Sequence, residues 1–395
     1  MEAERPRQRL VTLPFALVTG ATLAYFTCLG ALLPIVPRYV EDELDGGGLA
    51  VGVAVGAFAV SAALLRPWVG RLGDVYGRRI LVVGGSAIAG SSVLAYTLAT
   101  NLPALVAFRL VTGIGEAAVF VGAATAVQDM APDDRRGEAA SYFSVALYAG
   151  LAIGPFAGEK LLAARSFEAV WVFCGACTVV ACILGSRTPA GTVGTPTPRT
   201  HFFHRAALGP GLVLLLGLIP FTGFAAFLAL YGPEIGIDDV GPVFALYAGL
   251  VLLIRITAAR LPDRLGWRIA STGALLSVGT AAALIGLWAS STAVYIATVF
   301  MAMGMSLLFP ALFSAVMNDT PESERSQAVG TFSLFFDLSQ GVGAPLLGLV
   351  VALSSSYRVA FLTSTLAALG GFAAMRALHL RAASLHLDDA ETAHS

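Results

Sequence analysis

Long apolar runs constrain the fold of this chain more than any other feature of its sequence. A helix needs about 20 apolar residues to cross the hydrocarbon core of a bilayer. The first such run extends from Leu10 to about Pro37 and is too long for the apolar region of a signal peptide. The other runs lie near residues 49–69, 80–100, 103–128, 138–162, 168–186, 207–232, 240–261, 268–289, 292–316, 326–353 and 357–380. The pattern predicts an all-α integral membrane protein with 12 transmembrane helices.

The composition argues against a water-soluble fold. Charged residues make up 12% and apolar residues 57% of the 395 residues, whereas a soluble domain has roughly 25% charged and 45–50% apolar residues. The net charge of −1 and the short arginine clusters between apolar runs argue against a nucleic-acid partner, for which a basic surface is expected. We therefore expect the lipid bilayer to surround most of the chain.

The second half of the chain repeats charged, glycine and proline positions of the first half at a constant offset of 189 residues. The matching pairs are Arg66 with Arg255, Asp74 with Asp263, Gly77 with Gly266, Arg79 with Arg268, Pro132 with Pro321 and Arg136 with Arg325. Between the halves lies a stretch rich in Thr, Pro and Gly, which is typical of a linker. We predict an N-terminal six-helix bundle over 1–186, a linker over 187–206, a C-terminal six-helix bundle over 207–382 and a tail over 383–395.

The distribution of arginine predicts how the helices are oriented. Arginines are concentrated at the N terminus, in alternate loops, in the linker and at the C-terminal end of the chain, whereas the intervening loops include the acidic run 41–45. Loops rich in Lys and Arg remain on the cytoplasmic side of a membrane. We therefore expect a multi-pass protein of the plasma membrane, with the linker and both termini in the cytoplasm.

A dense polar decapeptide, Gly70 to Arg79, lies between the second and third apolar runs, and we expect it to form a loop at the membrane face. Its pattern, G-x-L-x-D-x-x-G-R-R, resembles the signature loop of the major facilitator superfamily of secondary transporters, with Gly73 where alanine is usual. The resemblance implies two parallel six-helix repeats with a substrate site between them near the midplane. It also implies that the following residues control the change of access state: Gly70, Asp74, Gly77, Arg78 and Arg79, with Asp263 and Arg268 in the repeat.

Two further stretches are similar to motifs of the same superfamily. The run from Arg109 to Glu116 resembles the fourth-helix motif R-x-x-Q-G-x-G-A, in which the arginine is associated with proton coupling; Glu116 stands in place of the alanine. The second stretch resembles a G-x-x-x-G-P-x-x-G run associated with antiporters, and its residues are Gly150, Gly154, Pro155 and Gly158. For this second stretch, close packing of small residues around a proline kink remains an alternative.

Ionisable residues inside the apolar runs are the candidates for proton coupling, because a charge at the bilayer centre costs roughly 2.5–3.5 kcal/mol and is rarely kept without a use. Glu116 and Arg109 lie seven residues apart on one helix face, and Asp337 lies near the middle of the eleventh run. All five histidines fall in the linker or the C-terminal end, so a carboxylate that resists ionisation in an apolar setting is the expected carrier. We favour Glu116, with Asp337 second; buried pairs that only fix helix packing are the alternative.

The sequence predicts neither a metal site nor a cofactor. Cys174 and Cys177 form a C-x-x-C pair inside an apolar run without further ligands, which favours packing thiols. Lys160 has neither the glycine spacing nor the following Ser or Thr of a nucleotide-binding P-loop. We therefore expect an ion gradient, and not ATP, to supply the energy.

Aromatic residues on the seventh and eleventh runs are the candidates for a central cavity. They are Phe221, Phe224, Phe227, Phe332 and Phe336, accompanied by Gln340. Such walls suit a hydrophobic or amphiphilic organic compound, although any one phenylalanine can equally face lipid or a neighbouring helix.

Together these features predict a secondary active transporter that works by alternating access. We expect proton-coupled efflux of a small hydrophobic or amphiphilic compound, such as a drug or a secondary metabolite, by a monomer. Proton-coupled uptake of a metabolite or sugar is an alternative, and a transport-inactive membrane sensor or assembly partner is another. An enzyme is not expected, since no cluster of nucleophile, base and orienting residue emerges.

Overall fold

The computed structural model of the chain describes residues 10–132, 135–189, 204–257, 265–318, 320–321 and 325–392, and no strand occurs among them. The helices are α1 (Leu13–Asp42), α2 (Gly48–Tyr76), α3 (Arg78–Leu94), α4 (Leu102–Asp129), α5 (Arg136–Ala164), α6 (Phe167–Ser186), α7 (Arg205–Tyr231), α8 (Gly241–Thr257), α9 (Trp267–Leu287), α10 (Ser291–Asn318), α11 (Arg325–Gly341), α12 (Gly343–Ser354) and α13 (Tyr357–Thr392). Short 3-10 turns at Ala95–Leu98 and Gly232–Ile235 follow α3 and α7.

The predicted all-α membrane fold is confirmed. Eleven spans in the described part of the chain are long and apolar enough to cross a membrane, with α11 and α12 together forming the span Ala328–Ser354. The eighth predicted segment corresponds to α8, a shorter apolar helix of 17 residues; residues 258–261 of that predicted segment lie outside the described residues.

Local sequence signals fix where several helices begin. Thr12 caps α1 by accepting a hydrogen bond from the Phe15 amide at 3.4 Å, and Asn101 caps α4 by accepting one from the Ala104 amide at 3.0 Å. Both helices also carry a proline in the first turn, where the missing amide hydrogen leaves no helical bond unmade. These polar caps satisfy amide groups that would otherwise be unpaired where the helices enter the bilayer.

The decapeptide from Gly70 to Arg79 is not a loop, as its polar composition had suggested. The second helix continues to Tyr76, and only Gly77 separates it from α3, which begins at Arg78. Gly77 has φ 89° and ψ 159°, a conformation that residues with a side chain rarely adopt. A single glycine therefore makes the whole turn.

Two other predicted boundaries differ in the structure. The eleventh segment is interrupted at Val342, between α11 and α12. The last helix continues to Thr392, so the predicted tail from residue 383 begins inside a helix and not after it.

Each half of the chain packs mainly on itself. In the first half, α1 packs on α5 and α6, and α4 packs on α2 and α3; in the second, α10 packs on α9, and α13 packs on α7 and α9. The halves meet where α2 packs against α11 and α12 and where α5 packs against α8. The residues between the halves thus come from helices of both repeats.

We name the two ends of the bundle by the chain connections that they carry. The linker end is where α6 ends and α7 begins, and the far end is where α1 turns into α2. At the far end, Gly52 of α2 lies so close to α12 that an added Cβ would come within 3.0 Å of the Pro345 Cα atom. Gly48 and Gly56, one helical turn away on either side, also face α11 and α12 closely.

Polar contacts join the two halves at the same far end. The Arg38 guanidinium donates a hydrogen bond to the carbonyl oxygen of Asp238 at 2.9 Å. Lys160 Nζ lies 3.0 Å from Asp239 Oδ2, and the Tyr357 hydroxyl donates to Glu41 Oε1 at 3.0 Å. Close helix packing and these contacts together hold the far end shut.

Candidate functional site

A cavity of about 280 Å³ lies between the two halves. Its walls are mostly apolar and come from helices of both repeats. Five charged side chains also line it: Arg66, Arg109, Glu116, Arg255 and Asp337. A small cavity with apolar walls and a few convergent polar groups is typical of a binding site for a small molecule.

Three of these residues form one ionic cluster, which we call the Arg66 cluster. Arg66 Nη2 lies 3.3 Å from Glu116 Oε1 and 3.0 Å from Asp337 Oδ1. The guanidinium also lies over the Phe120 ring, 4.7 Å from its centroid. Since α2 and α4 belong to the first half and α11 to the second, one arginine links both carboxylates and both halves.

The second oxygen of each carboxylate is buried and unbonded. Glu116 Oε2 and Asp337 Oδ2 have no hydrogen-bond partner among the described residues, and the same holds for Arg66 Nε. A buried polar atom without a partner carries a desolvation cost. Each carboxylate therefore has an oxygen at which a proton can bind without displacing Arg66 from the other oxygen.

Arg109 does not pair with Glu116, although the two lie on one helix. Its Nε donates to the carbonyl oxygen of Ala54 at 2.9 Å, and its Nη2 donates to that of Val55 at 3.4 Å. The guanidinium also lies 4.9 Å from the centroid of the Phe58 ring. Arg109 thus binds α2, and in this state the partner of Glu116 is Arg66.

Half of the predicted cavity residues line the cavity. Phe221, Phe336 and Gln340 do so. The other three are buried in helix packing: Phe224 lies against Phe244, Phe227 against Tyr357, and Phe332 against Phe309 and Phe313. The structure does not place these three side chains in the cavity walls, because the buried helices carry phenylalanine on several faces.

Residues 18–317 and 263–393 match the family model of the Major Facilitator Superfamily. The chain belongs to this superfamily. An uncharacterized MFS-type transporter of Salmonella typhimurium is 29% identical over 363 residues, which cover 89% of this chain and 93% of that protein. Another, from Pseudomonas aeruginosa, is 31% identical over an alignment of 413 positions that covers 96% of each chain.

The solved structures agree with this assignment at the level of the fold. The crystal structure of a POT family transporter in complex with a thioalcohol-conjugated peptide superposes with a TM-score of 0.78 and 12% identity, covering 93% of this chain and 96% of that one. The protein is therefore a multi-pass membrane transporter with the major facilitator fold.

The residues of the superfamily's signature decapeptide lie at the linker end. Gly70 faces open space, Gly77 forms the turn, and Arg79 is exposed. Arg78 Nε lies 3.3 Å from Asp129 Oδ2 of α4. The backbone of Asp74 is in the last turns of α2, but its side chain lies outside what the structure describes, as does the whole of Asp263.

Two other features of the signature have physical explanations in the structure. At Gly73, where the superfamily usually has alanine, a Cβ would lie 2.6 Å from Leu81 Cδ1. In the repeat, Gly266 has φ 76° and ψ 149°, which nearly reproduces the conformation of Gly77. The exposed Arg268 next to it lies over the Trp267 ring, 5.5 Å from its centroid.

The antiporter-like run of α5 packs on α1. A Cβ on Gly150 would lie 2.8 Å from the Leu23 carbonyl oxygen, and one on Gly158 would lie 3.1 Å from that of Ala31. Gly154 is packed more tightly still, and Pro155 lies against Gly30. These contacts explain why small residues are needed, whether or not the run also has a role in antiport.

The four cysteines are free, and the described residues contain no group of three or more His, Cys, Asp or Glu side chains that could hold a metal ion. Cys174 packs with its Sγ atom 3.7 Å from the Cys28 carbonyl oxygen. The paired cysteines of the sixth run therefore take part in helix packing.

The cavity residues that sequence reasoning missed include Arg66, Tyr148 and Arg255. The two arginines lie at the ends of apolar runs, where the positive-inside rule already explains them. The signal that could have identified them is the repeat, because they are separated by its offset of 189 residues and both helices face the other half.

Proposed function

We propose that this protein is a proton-coupled secondary transporter that exports a small hydrophobic or amphiphilic compound by alternating access. The observation that carries the proposal is the Arg66 cluster, in which one guanidinium is shared by carboxylates from the two halves inside the cavity. A buried ionisable residue in a membrane protein is a functional candidate by default. Here the two carboxylates and their shared arginine lie at the boundary that must rearrange.

The proposed coupling follows from the charges of the cluster. Two ionised carboxylates hold Arg66, and a proton that binds to one of them removes its charge and weakens its bond to the guanidinium. Glu116 is the proposed carrier and Asp337 the second candidate. A proton on Glu116 leaves Arg66 to Asp337 alone and strengthens the link between α2 and α11, whereas a proton on Asp337 weakens that link. In either case proton binding changes how firmly the halves are joined.

The far end is closed in the structure, and under the predicted orientation this end is extracellular. The cavity would then be loaded from the cytoplasm, as export requires. The inward proton gradient and the membrane potential would drive the cycle, the potential contributing about 2.3 kcal/mol per charge per 100 mV. The apolar walls suit an amphiphilic substrate.

A resistance profile of cells that lack or overproduce the protein identifies a transported compound, which then serves for assays in proteoliposomes. With the wild-type protein, an imposed pH gradient should drive accumulation of that compound against its own gradient. Glu116→Gln should abolish gradient-driven transport while retaining exchange of labelled for unlabelled compound, because exchange needs no net proton movement.

Four results would contradict parts of the proposal. Gradient-driven transport that survives in Glu116→Gln but is lost in Asp337→Asn transfers the role of carrier to Asp337. Survival in both variants refutes coupling through this cluster. Accumulation in the same direction as the proton flux indicates uptake, and absence of any flux of protons or compound favours a sensor or an assembly partner.

A further inference from the structure

The internal repeat places a second basic site opposite the Arg66 cluster. Arg255 of α8 occupies the position that Arg66 occupies in α2, and Tyr148 of α5 occupies the position of Asp337 in α11; in each pair the residues are 189 apart. Both arginines contact the equivalent residue of the opposite half. Arg66 binds Asp337, and Arg255 Nη2 donates to the Tyr148 hydroxyl at 3.0 Å.

The two sites differ in their carboxylates. At the repeat position of Glu116 the second half has Met305, and at that of Asp337 the first half has Tyr148. Both replacements line the cavity. The Arg66 site therefore contains two acidic groups, whereas its counterpart around Arg255 contains a thioether and a phenol and no acid among the described residues.

Among the described residues, the contacts of Arg255 include no carboxylate. Its guanidinium lies over the Tyr148 ring, 4.5 Å from the centroid, and donates one hydrogen bond to the hydroxyl of the same residue. Its Nε is buried and donates to no described residue. A cation–π contact and one neutral acceptor compensate a guanidinium less than a carboxylate does. In the cavity as a whole, three arginines face two carboxylates.

We propose that Arg255 binds the anionic group of the transported compound, so that the substrate is an amphiphilic organic anion, most simply a carboxylate with an apolar body. The inference rests on the proposed transport function and specifies its substrate class. A carboxylate can accept two parallel hydrogen bonds from a guanidinium, and it would supply the negative charge that the repeat lacks at this position.

The surroundings of Arg255 fit the apolar part of such a compound. Tyr247, about two helical turns from Arg255 on α8, stacks on Phe221 at 5.2 Å between ring centroids. Phe309 and Phe336 meet edge to face at 6.4 Å. All four rings line the same cavity as Arg255. An anionic group at Arg255 would thus leave an aromatic or aliphatic body among these rings.

Matched compounds test the charge preference directly. The first series of probes has a naphthalene body and consists of 1-naphthoate, 1-naphthamide and 1-naphthylmethylamine. The second series has a phenylbutyl body and consists of 4-phenylbutyrate, its amide and 4-phenylbutylamine. Binding to the purified full-length protein is measured by calorimetry and by ligand-induced thermal stabilisation. We expect the acid to bind about tenfold or more tightly than the amide and the amine of the same body in at least one series, as for a charge-assisted hydrogen bond.

Variants of the repeat pair separate charge from structure. Arg255→Gln should remove the preference for the acid, and Arg255→Lys should keep part of it. Tyr148→Asp keeps Arg255 but gives it the carboxylate that Arg66 has, so it should remove the preference as well. Tyr148→Phe, the matched control, keeps the ring without adding charge and should retain the preference.

Several outcomes would overturn the proposal. The first is that the amide or the amine binds as tightly as the acid in both series. The second is that the preference for the acid survives in Arg255→Gln. The third is that neither acid binds at millimolar concentration. Asp263, eight residues beyond Arg255, lies outside the described residues. An acid affinity that rises about tenfold in Asp263→Asn would identify Asp263 as the counter-ion of Arg255 and also overturn the proposal.

The same measurements distinguish this proposal from the coupling mechanism. Glu116→Gln should lose gradient-driven transport and keep the acid preference, whereas Arg255→Gln should lose the preference. If Glu116→Gln and Asp337→Asn both transport against a gradient while the acid preference holds, the coupling mechanism fails and the anion site stands. If both variants lose gradient-driven transport but the acid binds no more tightly than the amide, the anion site is refuted and the coupling mechanism stands.

Discussion

Arg66 Nη2 lies 3.0 Å from Asp337 Oδ1 and thereby joins α2 to α11 across the boundary between the two halves. The other bond of the same nitrogen, 3.3 Å to Glu116 Oε1, stays within the first half. The two carboxylates therefore differ in what they hold, although they share one guanidinium. Only the bond to Asp337 can stabilise one arrangement of the halves over another.

Asp337→Asn should shift the protein away from the state with a closed far end, because it removes the charge that joins the halves. Spin labels at Thr100 and Ala289, exposed positions at the far end of the first and second half, report the separation by pulsed electron resonance. We expect a larger population of long distances in Asp337→Asn than in the unsubstituted protein. Glu116→Gln is the matched control and should change the distribution less; equal shifts in both variants would contradict this reading.

Glu159, which directly follows the antiporter-like run of α5, holds Arg38 at the far end. Its Oε2 atom lies 3.3 Å from Arg38 Nη1, and the side chain is 4% exposed. Glu159→Gln should lower the free energy of unfolding by about 1.5–3 kcal/mol, the usual contribution of a hydrogen bond to a charged group. Unfolding in mixed micelles of mild detergent and dodecyl sulfate measures the change.

The neighbouring pair of Lys160 and Asp239 provides the comparison for Glu159. These side chains are 59% and 37% exposed, and solvent-exposed ion pairs contribute only about 0–1 kcal/mol. Lys160→Gln should therefore leave the free energy of unfolding nearly unchanged. A larger loss in Lys160→Gln than in Glu159→Gln would show that burial does not decide the strength of these two contacts.

Gly266 is required for its backbone conformation and not for space. With φ 76° and ψ 149° it begins α9, and an added Cβ would meet nothing within 4 Å. Gly266→Ala should therefore destabilise the protein by about 1–3 kcal/mol through backbone strain alone. Gly273, inside the same helix and equally uncrowded, is the control: Gly273→Ala should be neutral or stabilise by up to about 1 kcal/mol. Equal effects of the two variants in micelle unfolding would refute the backbone explanation.

The helices could be predicted from the sequence because lipid imposes a length and an apolar composition on every segment that crosses it. The short interruptions could not. The break at Val342 and the 3-10 turn at Ala95–Leu98 leave the apolar pattern intact. The run from Gly70 to Tyr76 is helical despite two charged residues and two glycines, since a helix can continue beyond the apolar core into the membrane interface.

Only part of the candidate site could be predicted from the sequence. Glu116 and Asp337 stand out because a carboxylate in an apolar run is costly. Their partner Arg66 does not, because it lies 50 residues from one and far along the chain from the other, and chain separation of that size gives no indication of contact. Phe224 and Phe227 of α7 lie outside the cavity lining for a different reason: α7 is buried on most of its surface, so periodicity cannot tell which face meets the cavity.

The signature aspartate Asp74 should act on transport and not on folding. It lies in the last turns of α2, at the linker end and next to the single-glycine turn into α3. A charge at the end of a helix that contacts both halves can stabilise one access state through its contacts. We expect Asp74→Asn to reduce transport in proteoliposomes by about tenfold or more, with expression and thermal stability near those of the unsubstituted protein.

Two other aspartates make the prediction for Asp74 specific. Asp129 pairs with Arg78 at the same end of the bundle but joins only helices of the first half, at 3.3 Å and with a side chain 37% exposed. Asp129→Asn should lower the free energy of unfolding by at most about 1 kcal/mol and leave most of the transport rate. Asp263→Asn, at the matching position of the repeat, should reduce transport less than Asp74→Asn, because Ala259 and Pro262 stand at the positions of Gly70 and Gly73 there. Full transport by Asp74→Asn, or an equal loss in all three variants, would remove the special role of Asp74.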